Sequence, residues 1–194
     1  MSRIVQKFGG TSVADLDRIR NVAQRVKAEV DAGHEVTVVV SAMSGATNQL
    51  VQLATTVGAV HDAREYDAVV ATGEQVTAGL LAIALQNIGV EARSWLGWQA
   101  TVHTDDVHGA ARIEHIDVAS IDHHLSHGQV AVIAGFQGIG PNNRITTLGR
   151  GGSDTSAVAV AAAVVDVERS GAASPMAQVS AAQAVDSTPF TGEE

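Results

Sequence analysis

The chain has 194 residues, of which 45% are apolar and only 3% aromatic, and its 12 basic and 21 acidic side chains leave a net charge of −9. This is enough for one domain with a sizeable core, and its Ala, Val, Ile and Leu suit a parallel sheet covered by helices better than an aromatic-rich β-sandwich. The charge argues against a general nucleic-acid or anionic-membrane binder, and the lack of cysteine excludes disulfides, thiolate metal sites and a cysteine nucleophile.

Ile4 and Val5 read as a short strand, and Lys7-Phe8-Gly9-Gly10-Thr11-Ser12 follows it. Leu16, Ile19, Val22, Ala23, Val26 and Val30 then recur at helical spacing, and Ser12 with Asp15 fits a capping pattern, so a helix is expected to start at Ser12. A strand, two glycines and a helix N-terminus form an anion site. The backbone can come close, free N–H groups and the dipole favour phosphate, and Lys7 adds a cation. Taken alone, the stretch fits a tight turn with a solvated lysine equally well.

Gly33 should stop this helix, and Val36 to Val40 reads as a strand buried on both faces. A small, polar loop from Ser41 to Asn48 follows, then a helix marked by Leu50, Val51, Leu53, Ala54 and Val57. Arg64 to Ala71 is expected to be helical, with Gly73 breaking it. A longer helix from Glu74 should bury Val76, Leu80, Leu81, Ala84, Leu85 and Ile88 and close at Gly89. Strands are predicted at Ala92 to Trp95, Thr101 to Thr104 and Arg112 to Ile116, and a short helix over Val118 to His127. Val130 to Phe136 reads as another buried strand, and Ile145 to Leu148 as the return arm of a hairpin turning through Gly138 to Asn143.

Gly149-Arg150-Gly151-Gly152-Ser153-Asp154 opens an Ala/Val-rich helix expected to run from Thr155 to about Val165. From Asp166 the chain becomes Ala-, Ser- and Gln-rich, which predicts a low-complexity tail over 166–194, disordered or weakly helical, behind a structured region over 1–165. The alternation of strands and helices is that of an open α/β sheet. The N-terminus lacks a signal-peptide pattern, and no run approaches the roughly 18 apolar residues of a membrane span, so a soluble, cytoplasmic protein is expected.

Two glycine pairs at strand-to-helix junctions, each with a cation (Lys7 and Arg150), suit phosphoryl transfer if the sheet brings them together. Ser41 and Thr47 offer hydroxyls, and Glu74 a carboxylate for an ammonium or a backbone donor. Each also has an ordinary reading: a surface arginine, a first-turn carboxylate, common loop residues. His123, His124 and His127, with His103, His108 and His115 nearby, are read as a solvated surface and carry no metal site. Trp95 and Trp98 are read as packing residues.

Val5 to Ser12, Val40 to Gly45, Ala71-Thr72-Gly73-Glu74-Gln75, Ala134 to Gly138 and Thr146 to Ala157 resemble aspartate kinase in order and spacing, from Met1 to about Val165. The resemblance implies the amino-acid kinase fold, a three-layer αβα sandwich with a mainly parallel sheet. It also implies ATP-dependent phosphorylation of the L-aspartate side-chain carboxylate, the first step toward lysine, threonine and methionine, with Mg2+ arriving with ATP. Lys7, Phe8, Gly9, Gly10 and Ser41 would then bind the phosphates. Thr47, Glu74, Arg150, Gly151, Gly152, Ser153 and Asp154 would bind aspartate, Glu74 through its ammonium and Arg150 through a carboxylate. Lys7 and Asp154 would be catalytic, Asp154 orienting the lysine.

The family's next strand, its Thr-Asp-Val-Asp-Gly-Val-Tyr-like nucleotide loop and its ACT domains have no counterpart after Val165. The fold is therefore expected to be incomplete in its nucleotide-binding half, with an exposed sheet edge that favours self-association or pairing with a full-length subunit. The alternative reading is an inactive aspartate-binding or subunit-interaction module. Another amino-acid kinase, acting on glutamate, acetylglutamate or a uridylate, is disfavoured by the Ser41 to Gly45 and Gly149 to Asp154 runs.

Overall fold

A computed structural model describes residues 2–170 and 178–180, the last few of these (165–170 and 178–180) by their backbone alone. Nine strands and six helices follow in chain order among the described residues. They are β1 (Arg3–Phe8), α1 (Leu16–Asp31), β2 (Glu35–Val40), α2 (Ala46–Val57), α3 (Ala63–Val70), α4 (Thr72–Asn87), β3 (Ala92–Trp95) and β4 (Val102–Thr104). Then come β5 (Ile113–Ile116), α5 (Ala119–Ser126), β6 (Val130–Ala134), β7 (Gln137–Ile139), β8 (Ile145–Thr147), α6 (Gly152–Ser170) and β9 (Gln178–Ser180).

The β-branched run of β2 lies at the centre of a parallel sheet ordered β3-β6-β2-β1-β9. Alternation along each strand sends side chains to two cores. Val36, Val38 and Val40 of β2 and Val132 of β6 pack with Ile19, Val22 and Val26 of α1 and Leu81 and Leu85 of α4. Val39 and Ile133 point the other way, against Ile121 and Leu125 of α5 and Val160 and Val164 of α6. The layers are thus helices, parallel sheet, helices. A second sheet, ordered β5-β4-β7-β8 and mainly antiparallel, is an addition that the three-layer expectation did not contain.

Several boundaries differ from expectation for identifiable reasons. α1 begins at Leu16, not Ser12: Asp15 is its cap, accepting from the Arg18 N–H at 2.8 Å. The Ser12 and Val13 N–H groups turn back to the Gly9 carbonyl instead, at 2.9 and 3.2 Å. The break between α3 and α4 falls at Ala71, so Gly73 lies inside α4. The buried face of α4 is rotated from the purely apolar stripe: Glu74, Thr77 and Ala78 turn inward, while Val76 is 55% exposed. The α2 helix buries none of its residues, and Leu53 and Val57 are exposed. β6 ends at Ala134 because Phe136 takes a positive φ of 67°. Gly33 and Gly89 do stand at positive φ just past α1 and α4.

Where a tail was expected from Asp166, α6 continues to Ser170, and residues 178–180 pair in parallel with Ile4 to Gln6. The rest of that expected tail lies outside the described residues. The helical stretch 63–87, α3 and α4 together, is long and apolar enough by composition alone to cross a membrane. Half of its apolar window is buried inside the protein, as in a core helix. Trp95 is buried and Trp98 is 46% exposed, so only the first is the packing residue expected of both.

Leu81 is 0% exposed between α4 and the sheet, whereas Ile83, two residues on, is 62% exposed. Leu81→Ala is expected to cost about 2–5 kcal/mol and Ile83→Ala less than about 0.5 kcal/mol, as read from urea unfolding midpoints.

Candidate active site

The parallel strands β1, β2 and β6 end on the same edge, and the ladder continues one residue past each end. The Ser41 N–H donates to the Phe8 carbonyl and the Gly135 N–H to the Val40 carbonyl, both at 3.0 Å. The loops leaving this edge, with the first turns of α4 and α6, enclose a cleft of about 240 Å³. Lys7, Ser41, Thr47, Glu74 and the run from Gly149 to Asp154 all line it, so the tertiary structure gathers most of the residues singled out in the sequence. Ala42 and Phe136, which the sequence did not single out, line it as well.

Lys7 leaves the end of β1 with its Nζ 2.7 Å from Asp154 Oδ1. The same ammonium lies over Gly9, 3.3 Å from where a Cβ would be. Asp154 is 70% exposed, so the pair contributes little to stability; it fixes where the lysine charge sits. The Phe8 side chain is buried in the core, away from the cleft, and only its backbone can take part.

The helix N-terminus that faces the cleft belongs to α6. Gly151, at φ 78°, makes the left-handed turn, and its carbonyl accepts the Asp154 and Thr155 N–H groups at 3.0 and 3.1 Å. Gly152, Ser153 and Asp154 form the first turn that opens into the cleft, where the helix dipole favours an anion. The glycine turn after β1 lacks this advantage, since α1 starts farther on.

Glu74 faces the cleft from α4 yet is only 4% exposed. Its Oε1 accepts the Ala42 N–H at 3.1 Å, and its Oε2 is buried with no partner. Burial pushes the carboxyl up to about 7, against the opposing pull of the Ala42 N–H and its own backbone N–H. Gly73 makes this approach possible: a Cβ there would come within 2.9 Å of the Ala42 Cβ. A buried carboxylate oxygen without a donor is costly on its own and well suited to a cationic ligand.

Two further braces escaped the sequence reading. Gln137 Nε2 donates to the Ala71 carbonyl at 2.8 Å, at the joint between α3 and α4. Asp67 on α3 is fully buried and accepts from His108, Gly109 and Thr147. Neither carries a local pattern that marks it, because their partners lie 41 to 80 residues away.

The remaining histidines stay apart from the cleft. His103 and His115 stack across β4 and β5 with centroids 4.1 Å apart, and His123 and His127 are neighbours on α5. Among the described residues no group of three or more His, Asp or Glu is arranged to hold a metal ion.

A parallel sheet whose carboxyl edge carries a cleft lined by Lys7, Arg150 and a glycine-rich helix start is suited to phosphoryl transfer on a small molecule. Residues 2–165 match the amino acid kinase family, and the chain belongs to that family. Within it, the chain is 52% identical over 164 residues to aspartokinase 2 of Bacillus subtilis, covering 84% of this chain and 40% of that one. It is 54% identical, with the same coverage, to the aspartokinase of Pseudomonas aeruginosa. Among solved structures it resembles aspartate kinase from Synechocystis at 49% identity and a TM-score of 0.70, covering 84% of this chain and 26% of that one. It also resembles E. coli aspartokinase III in complex with aspartate and ADP, at 26% identity and a TM-score of 0.68, covering 84% of this chain and 47% of that one. The chain therefore spans about 40% of the length of the curated relatives it matches.

The buried carboxyl has a measurable signature. Glu74 titrates near 7 in the folded protein against 4.5 unfolded, so the native state binds the extra proton between these values. Stability is fully present below about 4.5 and is lost as pH rises through 7, by about 3 kcal/mol in all. Glu74→Gln is expected to remove this dependence from urea midpoints measured between pH 4.5 and 8.

Proposed function

We propose that this cleft binds L-aspartate and the γ-phosphoryl end of ATP, and that the chain provides the acceptor side of a cytoplasmic aspartate kinase. The observation that carries the reading is the orphaned, buried Glu74 Oε2 in the same cleft as Arg150. An amino acid with an ammonium for the first and a carboxylate for the second satisfies both. Arg150 makes no ion pair among the described residues, and its planar guanidinium is suited to grip a carboxylate with two hydrogen bonds. Thr47 lines the same cleft and carries a hydroxyl. The aspartokinases above, one of them in complex with aspartate and ADP, support the same substrates.

The chemistry follows from charge. The aspartate side-chain carboxylate is ionised at neutral pH, so it attacks phosphorus without a general base. One carboxylate oxygen forms the new O–P bond, the bond from phosphorus to the bridging oxygen of ADP breaks, and its electron pair leaves with ADP. No proton changes hands. Lys7, held by Asp154, offsets charge on the transferring group, and the Ser153 N–H in the first turn of α6, with the dipole of that helix, favours its oxygens. Mg2+ would arrive with the nucleotide and neutralise phosphate charge. Its product, an acyl phosphate, makes the chain the opening enzyme of a pathway to aspartate-derived amino acids. A longer subunit or a second copy is a natural partner along the sheet edge.

Calorimetric titration with L-aspartate and with Mg-ATP, followed by a coupled kinase assay, tests the reading. Glu74→Gln and Arg150→Lys should each weaken aspartate at least about tenfold, and Lys7→Ala should lower turnover at least about a hundredfold. Aspartate binding without turnover in the wild type would make the chain an aspartate-binding module. No aspartate binding, with turnover of another carboxylate acceptor, would overturn the substrate.

A further inference from the structure

We propose that Asp67 is a positioning residue that sets the reach between Glu74 and Arg150, and thereby which amino acid the cleft accepts. This rests on the aspartate-site reading above. Asp67 is 0% exposed, and both of its carboxylate oxygens are engaged. Oδ1 accepts from the Thr147 hydroxyl at 2.5 Å. Oδ2 accepts from the Thr147 N–H at 3.0 Å, the Gly109 N–H at 3.1 Å and His108 Nδ1 at 2.7 Å. A carboxylate held by four donors from two distant segments is a fixed point, because moving any one of them strands a buried polar group.

Its place in the chain gives this fixed point a role in the cleft. Asp67 lies on α3, which passes through Ala71 directly into the first turn of α4 and Glu74. Thr147 ends β8, three residues before Arg150, and the next residue, Leu148, donates to the Phe136 carbonyl at 2.8 Å. One carboxylate therefore ties the segment that holds the ammonium ligand to the segment that holds the carboxylate ligand. Thr147 is paired with Gln137, which grips the Ala71 carbonyl on the same joint, so the tether has little slack. Aspartate and glutamate differ by one methylene, and a cleft tells them apart only if its two ends are held at a set spacing.

The test compares wild type with Asp67→Ala, Thr147→Val, which loses only the hydroxyl bond, and Thr147→Ser, which keeps it. Hydrogen exchange of the 148–152 amides should be at least about tenfold faster in Asp67→Ala and Thr147→Val, with amides of β2 and α1 unchanged. In calorimetry the ratio of L-aspartate to L-glutamate affinity should fall about tenfold in the same two variants and recover in Thr147→Ser. A general loss of stability lowers both affinities together and leaves the ratio alone. Thr147→Val carries the test if Asp67→Ala does not fold. Unchanged exchange at 148–152, or an unchanged ratio in a chain that binds both amino acids, overturns the proposal. If the wild type binds neither amino acid, the substrate reading fails and the exchange measurement alone decides the tether.

Discussion

Parallel pairing of β1 with β2 and of β2 with β6 delivers three strand ends to one edge of the sheet, in a register where Phe8 stands beside Val40 and Val40 beside Ala134. Everything in the cleft hangs from that alignment. A strand run the other way would put Lys7 at the opposite edge from Ser41, and a slip of one residue would turn Val38 and Val40 out of one core and into the other. The two hydrophobic layers therefore do more than stabilise the domain. They lock the register that places a lysine, a hydroxyl loop and a glycine turn beside one another.

The cleft is assembled from charges kept in unlike surroundings. Lys7 and Asp154 meet near solvent, where their attraction orients more than it stabilises. Glu74 is withdrawn into a pocket with an oxygen left unanswered. The withdrawn carboxyl destabilises the empty protein above neutral pH, and an incoming ammonium would relieve that cost. Binding strength at such a position comes largely from pre-arranged strain in solvation rather than from new contact area.

Around this centre the second sheet acts as a frame. The β7–β8 hairpin carries Gln137 and Thr147 at paired positions, and both reach across to the α3–α4 unit. The loop bearing Arg150 leaves directly from β8. Loops at the edge of an α/β sheet are free to vary, so a site that must measure a ligand needs such cross-links to polar groups elsewhere.

Much of this was legible in the sequence, because it is written locally. The β-branched run of Val36 to Val40, the helical spacing through α1, the glycine stops at Gly33 and Gly89 and the two glycine-rich turns each follow from neighbours a few residues apart. The resemblance of five short motifs to aspartate kinase pointed to Lys7, Glu74, Arg150 and Asp154, which do converge. Where local signals competed, tertiary structure chose. Asp15 outdid Ser12 as a cap, and the inward turn of Glu74 rotated the face of α4 away from its apolar stripe. The second sheet, the orphaned Glu74 oxygen and the Asp67 tether appear in no stretch of sequence. Each depends on groups tens of residues apart, whose meeting is decided only when the sheet and its layers pack.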